Sequence, residues 1–306
     1  MKLLIASFLT VLLSLNMHIP GKTDGQMPAD QGRKPLFSFG IVTDVQYCDC
    51  DPEGTRYYRL STGKLREAMN TFRADSVKFF VNLGDLIDRD YKSYKPVLDI
   101  IDSSGLKVYH LTGNHDYSVN DRYKKRIPVP LLSKEGYYSF VVDHFKFIAL
   151  NGNELSTYAS ANKTQIKQAE DYISFLKDSG SMNAYDWNGG ISTRQLGWLK
   201  DQLDDAVAKN EKVFILSHFP IFPECVHNLL NYKDVLALLS NYNNIIASFS
   251  GHNHSGSYGN FNMIHFVTIK GMVETEDVDS YARVDVYGNK IWITGSGMEK
   301  SQILAY

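Results

Sequence analysis

Five apolar runs, each ending in a short polar cluster rich in metal-ligand side chains, constrain this chain more than any other feature. Residues 37–42 lead into Asp44-Val45-Gln46, 77–83 into Gly84-Asp85, and 107–111 into Gly113-Asn114-His115-Asp116. Residues 212–216 precede Ser217-His218, and 245–249 precede Gly251-His252-Asn253-His254. Short continuous apolar runs fit strands buried on both faces of a layered α/β core. In open α/β sheets a site forms outside the carboxyl ends of the strands, so ligands placed directly after five strands converge on one rim. As ligands the clusters supply two aspartates, a glutamine, an asparagine and three histidines. That set suffices for two adjacent divalent metals bridged by one carboxylate. Two metals about 3.5–4 Å apart clamp the attacking and leaving oxygens of a phosphoryl transfer, which points to hydrolysis of a phosphate ester or anhydride.

Composition narrows the partners. The 306 residues carry 32 basic against 34 acidic side chains, so no overall charge favours nucleic acid. No basic run suggests an anionic membrane surface. Lys2 precedes an apolar run over 3–15, the length of a signal-peptide core and too short to span a bilayer. The chain therefore reads as a signal peptide over 1–20 without an A-x-A cleavage mark, a linker over 21–35, and a folded domain over 36–306. Export, periplasmic or secreted, is expected, with no stable membrane association after the signal is removed. Of the three cysteines, Cys48 and Cys50 look too close for an easy mutual disulfide, and Cys225 is free to pair with either.

Helix candidates over 61–73, 94–103, 193–210 and 231–241 lie between the strands. Hairpins are expected at 137–143 with 145–150, and at 282–286 with 290–294 across Tyr287-Gly288-Asn289. The segment 151–190 reads as an excursion that caps or walls the rim, with an amphipathic helix over 161–177 and a turn-rich Asp186-Trp187-Asn188-Gly189-Gly190.

Asp44 and Gln46 stand two apart, so a regular strand would place both on one face. Alone, each cluster is an ordinary turn or a helix cap; Asp85, for instance, would serve well as a cap. The ordered set is more specific. It resembles the calcineurin-like metallophosphoesterases, whose pattern is D-x-H, G-D, G-N-H-[DE], a lone His and G-H-x-H. The resemblance implies an α/β layered fold, two mixed β-sheets sandwiched together and flanked by helices. It also implies that Asp44, Gln46 and His254 hold one metal, that Asn114, His218 and His252 hold the second, and that Asp85 bridges them. His115 becomes the general acid or a stabiliser of transition-state charge, with Asp116 orienting its ring. His110, His144, His227 and His265 are read as structural or surface residues.

One ligand departs from the pattern, since Gln46 stands where histidine is usual. An amide oxygen is a harder ligand and favours manganese or magnesium over softer ions. With Gly54-Thr55-Arg56-Tyr57-Tyr58-Arg59, Trp187-Asn188-Gly189-Gly190, the run from Ser217 to Pro223, and Gly271-Met272-Val273-Glu274-Thr275, this departure is similar to the manganese-dependent ADP-ribose/CDP-alcohol diphosphatases. The implied cofactors are two divalent ions, manganese first, then magnesium, iron or zinc. The implied substrate is a small nucleotide compound cleaved at its diphosphate. Tyr47, Tyr57, Tyr58, Phe219, Phe222 and Trp187 are candidates for stacking on a base, Arg56 and Arg59 for gripping the second phosphate. The alternatives are a phosphodiesterase or phosphomonoesterase on the same metals, and a binding protein that has lost its chemistry. The chain does not reveal its oligomeric state.

Overall fold

Period-two alternation divides the apolar strands between two environments. In chain order the elements are β1 (Phe37–Val42), α1 (Ser61–Ala74), β2 (Phe79–Asn82), α2 (Tyr94–Ser104), β3 (Val108–His110), α3 (Asp121–Lys124), β4 (Tyr138–Val142) and β5 (Phe145–Ala149). There follow α4 (Lys163–Asp178), α5 (Thr193–Ala208), β6 (Lys212–Leu216), α6 (Tyr232–Leu239), β7 (Ile245–Ser250), β8 (Ser257–Phe261), β9 (Ile264–Thr268), β10 (Ser280–Val286), β11 (Lys290–Gly297) and β12 (Gln302–Ala305). From β1, Phe37, Phe39 and Ile41 enter the core between the two sheets, while Val42 faces the helices. From β6, Phe214 and Leu216 face inward, and Val213 and Ile215 pack under α5 and α6. Both strands thus place apolar residues on both faces, which is why these runs read as largely apolar.

The protein is described by a computed structural model over residues 34–127, 133–160 and 162–306. The expected signal peptide and all but the end of the expected linker lie outside the described residues. Residues 35–306 form one compact unit. Among the described residues no helix is long and apolar enough to cross a membrane. The strands make two six-stranded mixed sheets, ordered β12-β11-β10-β1-β2-β3 and β4-β5-β6-β7-β9-β8. This is the layered α/β architecture that the resemblance implied. Between the sheets the rings of Phe39 and Phe79 stack at 5.2 Å, and Phe147 meets both edge-on at 5.4 Å. Helix α1 buries Leu65, Ala68, Met69 and Phe72, the i, i+3, i+4, i+7 stripe of a helix lying on a sheet.

β1, β2 and β3 run parallel, as do β5, β6, β7 and β9, so each sheet presents several carboxyl ends on one side. The expected helices and hairpins appear with ends shifted by a few residues. Strands β8, β9 and β12 were not anticipated. Two expectations need correction. Asp44 and Gln46 do not share the face of a regular strand: β1 ends at Val42, and both adopt positive φ, 51° and 44°. Cys48 pairs with Cys50 across 5.4 Å between Cα atoms, and Cys225 is free. The loop after Gln46 folds back sharply enough to bring residues two apart together.

Candidate dimetal centre

The turn after β1 carries Asp44, wholly buried. Its Oδ2 accepts hydrogen bonds from Thr43 Oγ1 at 2.7 Å and the His252 N–H at 3.0 Å. Its Oδ1 lies 3.3 Å from His254 Nε2 yet accepts no hydrogen bond. Gln46, also buried, places Nε2 3.2 Å from Asp85 Oδ2 and 3.1 Å from His254 Nε2, while its Oε1 is unpartnered. Buried oxygens without donors are costly, and an unpartnered carboxylate oxygen beside an imidazole is satisfied by a cation. An amide ligates through oxygen, so holding a metal requires Gln46 to turn Oε1 toward Asp85 and His254. The residues present fit that demand.

Asp85 follows β2 at the middle of the cluster. Its Oδ1 accepts the His115 N–H at 2.8 Å, and its Oδ2 lies 3.3 Å from His218 Nε2. Asn114 Oδ1 is 3.3 Å from the same His218 nitrogen. Asp85, His218 and His252 form a group with ligand atoms within 4.8 Å of one another. The structure thus brings Asp44, Gln46, Asp85, Asn114, His218, His252 and His254 to one rim. The backbone is bent to do so: Asp44, Gln46, Asp85 and His252 all have positive φ. Such conformations cost about 1–3 kcal/mol each and persist where surroundings impose them. Close packing also dictates Gly113, where an added Cβ would sit 2.2 Å from Asp85 Oδ1.

Each imidazole is aimed by a partner on its other nitrogen. Leu83 O lies 3.0 Å from His218 Nδ1, Glu274 Oε1 lies 2.6 Å from His254 Nδ1, and Asn188 Oδ1 lies 2.9 Å from His252 Nε2. These partners fix the tautomer and leave Nε2, Nε2 and Nδ1 respectively for a metal. Burial alone would lower His218 and His254, but Asp85 beside the first and Asp44 beside the second lift both to about 9. Burial works to raise Asp85, yet the imidazoles of His218 and His115 hold it below the usual carboxylate range. His252, buried among other imidazoles, is driven well below its ordinary value. Divalent ions satisfy the same carboxylates and need neutral imidazoles, so metal binding displaces protons.

His115 lies beside the cluster without joining it. Its Nδ1 is 2.9 Å from Asp88 Oδ1, and Asp88 is buried and also accepts from Arg89 Nε at 2.6 Å. Asp88, then, orients the ring. Asp116, expected in that role, is instead fully buried and accepts N–H donors from Asp85 at 2.9 Å, Leu86 at 3.1 Å and Gly113 at 2.9 Å. It ties the turn after β2 to the turn after β3. Asp88 stands only three residues after Asp85, and that spacing was the signal available in the sequence.

A cavity of about 350 Å³ opens over the cluster, lined by Gln46, Arg56, Asn114, His115, Trp187, His227, His252 and His254. Of the expected substrate residues Arg56 and Trp187 reach it. Arg59 is exposed and pairs with Asp49 at 2.7 Å and Asp51 at 2.6 Å. Tyr47 lines a different depression with Arg66 and Pro96. Tyr57 is half-buried and does not line the cavity. Phe219 is fully buried, its ring centroid 4.6 Å from His252 and 4.9 Å from His218, and so backs the ligands. His227, read as structural or surface, lies in the cavity, 5.4 Å from the His252 ring. The excursion 151–190 supplies Trp187 to the cavity and Asn188 to His252.

The sequence pattern of the family described as calcineurin-like phosphoesterase matches residues 37–256. Proteins named manganese-dependent ADP-ribose/CDP-alcohol diphosphatase are similar over nearly the whole chain. The one from Oryza sativa subsp. japonica is 29% identical, covering 90% of this chain and 95% of its own. The one from Homo sapiens is 29% identical, covering 89% and 93%. A solved dimetal phosphatase from Danio rerio superposes with a TM-score of 0.81 at 25% identity, covering 89% of this chain and all of that one. A purple acid phosphatase from yellow lupin shares the fold, with a TM-score of 0.56 at 12% identity.

Proposed function

The chain belongs to the calcineurin-like phosphoesterase family, and on that footing we propose that it is a manganese-dependent hydrolase of the diphosphate linkage in nucleoside diphosphate compounds such as ADP-ribose and CDP-alcohols. The observation that carries the metal-dependent reading is the buried Asp44 Oδ1, which accepts no hydrogen bond although it faces the His254 imidazole, beside the group of Asp85, His218 and His252. The substrate class is supported by the relatives' names and by similarity that spans both chains. The oxygen donor at Gln46 favours a hard ion such as manganese.

Asp44, Gln46 and His254 would hold one ion, Asn114, His218 and His252 the other, with Asp85 between them. Two divalent ions, when bound, stabilise the attacking and leaving oxygens of an in-line displacement at phosphorus. Asp88 orients His115 so that its other ring nitrogen serves the leaving oxygen as proton donor or as fixed positive charge. Arg56 meets the second phosphate from the cavity wall.

Purified protein with manganese should release AMP and ribose 5-phosphate from ADP-ribose. Turnover of an aryl phosphodiester with neither ADP-ribose nor CDP-choline cleaved would overturn the substrate class and keep the metal centre. Export belongs to the same proposal and rests on the apolar run over 3–15. A mature protein that still begins at Met1 in its native host would overturn it.

A further inference from the structure

We propose that the stacked rings of Tyr185 and Trp187 form the platform that selects substrates bearing a flat ring, the nucleobase of a nucleoside diphosphate compound. The inference rests on the diphosphatase reading and names the residues that make it selective. The two ring centroids lie 4.0 Å apart with planes 16° from parallel. Both residues are exposed, Tyr185 by 40% and Trp187 by 39%, and Trp187 lines the cavity that contains His115 and Arg56. Large aromatic surface left open at a polar cavity's mouth marks a place where something apolar binds.

The position of the platform is tied to the candidate metal ligands. Asn188, the next residue, is fully buried. Its Oδ1 lies 2.9 Å from His252 Nε2, and its Nδ2 donates to Asn183 O at 2.9 Å and Val226 O at 2.8 Å. One side chain thus sets both the tautomer of a ligand and the path of the loop carrying the two rings. Tyr185 covers one indole face and limits how the indole can turn, so little ordering remains to be done on binding. Stacking on a fixed indole tolerates any base because every base has a π-face, which suits both ADP- and CDP-linked compounds. Arg56, in the same cavity, is left to meet the charged part of the substrate.

The test compares AMP with ribose 5-phosphate, which share the phosphate and the sugar and differ by the base. Both are titrated calorimetrically into the manganese-loaded wild type, Trp187→Ala and Trp187→Phe. Wild type should prefer AMP by roughly tenfold or more, as base–aromatic stacking provides. Trp187→Ala should reduce the preference to within about twofold, and Trp187→Phe should keep most of it. An unchanged preference in Trp187→Ala, or none in wild type, overturns the platform. Cleavage of ADP-ribose alongside either result leaves the diphosphatase reading intact. A Trp187-dependent AMP preference without ADP-ribose cleavage removes only that reading.

Discussion

Asp85 is the residue on which the site turns. Its two oxygens reach the His115 backbone, Gln46 and His218, so one carboxylate faces both halves of the ligand set. Asp85→Ala should abolish turnover and lower manganese content measured by elemental analysis. Activity within about tenfold of wild type, or 1.4 kcal/mol of barrier, would rule out a bridge. His115 offers the contrasting case, close to the cluster but paired with Asp88. His115→Ala should keep its metal while the rate falls by roughly 10²–10⁴, the range for a lost general acid. Asp88→Asn should lose less, because the ring remains and only its orientation loosens. Metal loss in either variant would make His115 or Asp88 part of the ligand set. At Gln46 a histidine should shift the metal preference from manganese toward zinc. An unchanged metal profile would mean that Gln46 does not touch the ion.

At the scale of elements, α1 holds the loop that follows β9. Lys64 donates to Met272 O at 3.1 Å, Glu274 O at 2.6 Å and Thr275 O at 2.7 Å. The same loop carries the Glu274 side chain to His254, and it ends at Asp279. Asp279 is buried, and burial pushes its carboxyl up to about 7. Its Oδ1 accepts the Ser280 N–H at 2.7 Å, but its Oδ2 has no partner. The folded chain therefore keeps this proton where the unfolded chain has released it. Stability from this group is lost as pH rises from about 4 to about 7, and the cost persists above that range. Asp279→Asn should raise the melting temperature by a few degrees at pH 8 and leave it unchanged at pH 4. Equal melting curves at pH 8 would show that Asp279 ionises freely in the folded state.

Across the whole molecule, the ligand set joins the two sheets: Asp44, Asp85 and Asn114 follow strands of one, His218 and His252 follow strands of the other. A metal bound there stabilises the folded state alone, by about 2.7 kcal/mol at a hundredfold excess over Kd. Chelation should lower the melting temperature by roughly 5–10 °C, and manganese should restore it. A melting temperature indifferent to chelator would refute the metal centre. The strands and the ligand order were legible in the chain because burial on both faces leaves unbroken apolar runs and because ligands sit at their carboxyl ends. β8 escaped that reading because its residues are largely exposed, so no apolar pattern marks it. Local charge decided Arg59, whose exposed guanidinium takes Asp49 and Asp51 rather than the cavity. Asn188, Glu274 and His227 gain their places only when distant loops meet; Asn188 and His252, for example, are 64 residues apart. Spacing along a chain encodes what each segment buries, whereas the partner that completes a hydrogen bond or lines a cavity is chosen by the packing of elements. The sequence therefore determined which candidate ligands follow which strands, and the layers. Tertiary structure decided that Asp88 rather than Asp116 orients His115, and that Trp187 rather than Phe219 faces the cavity.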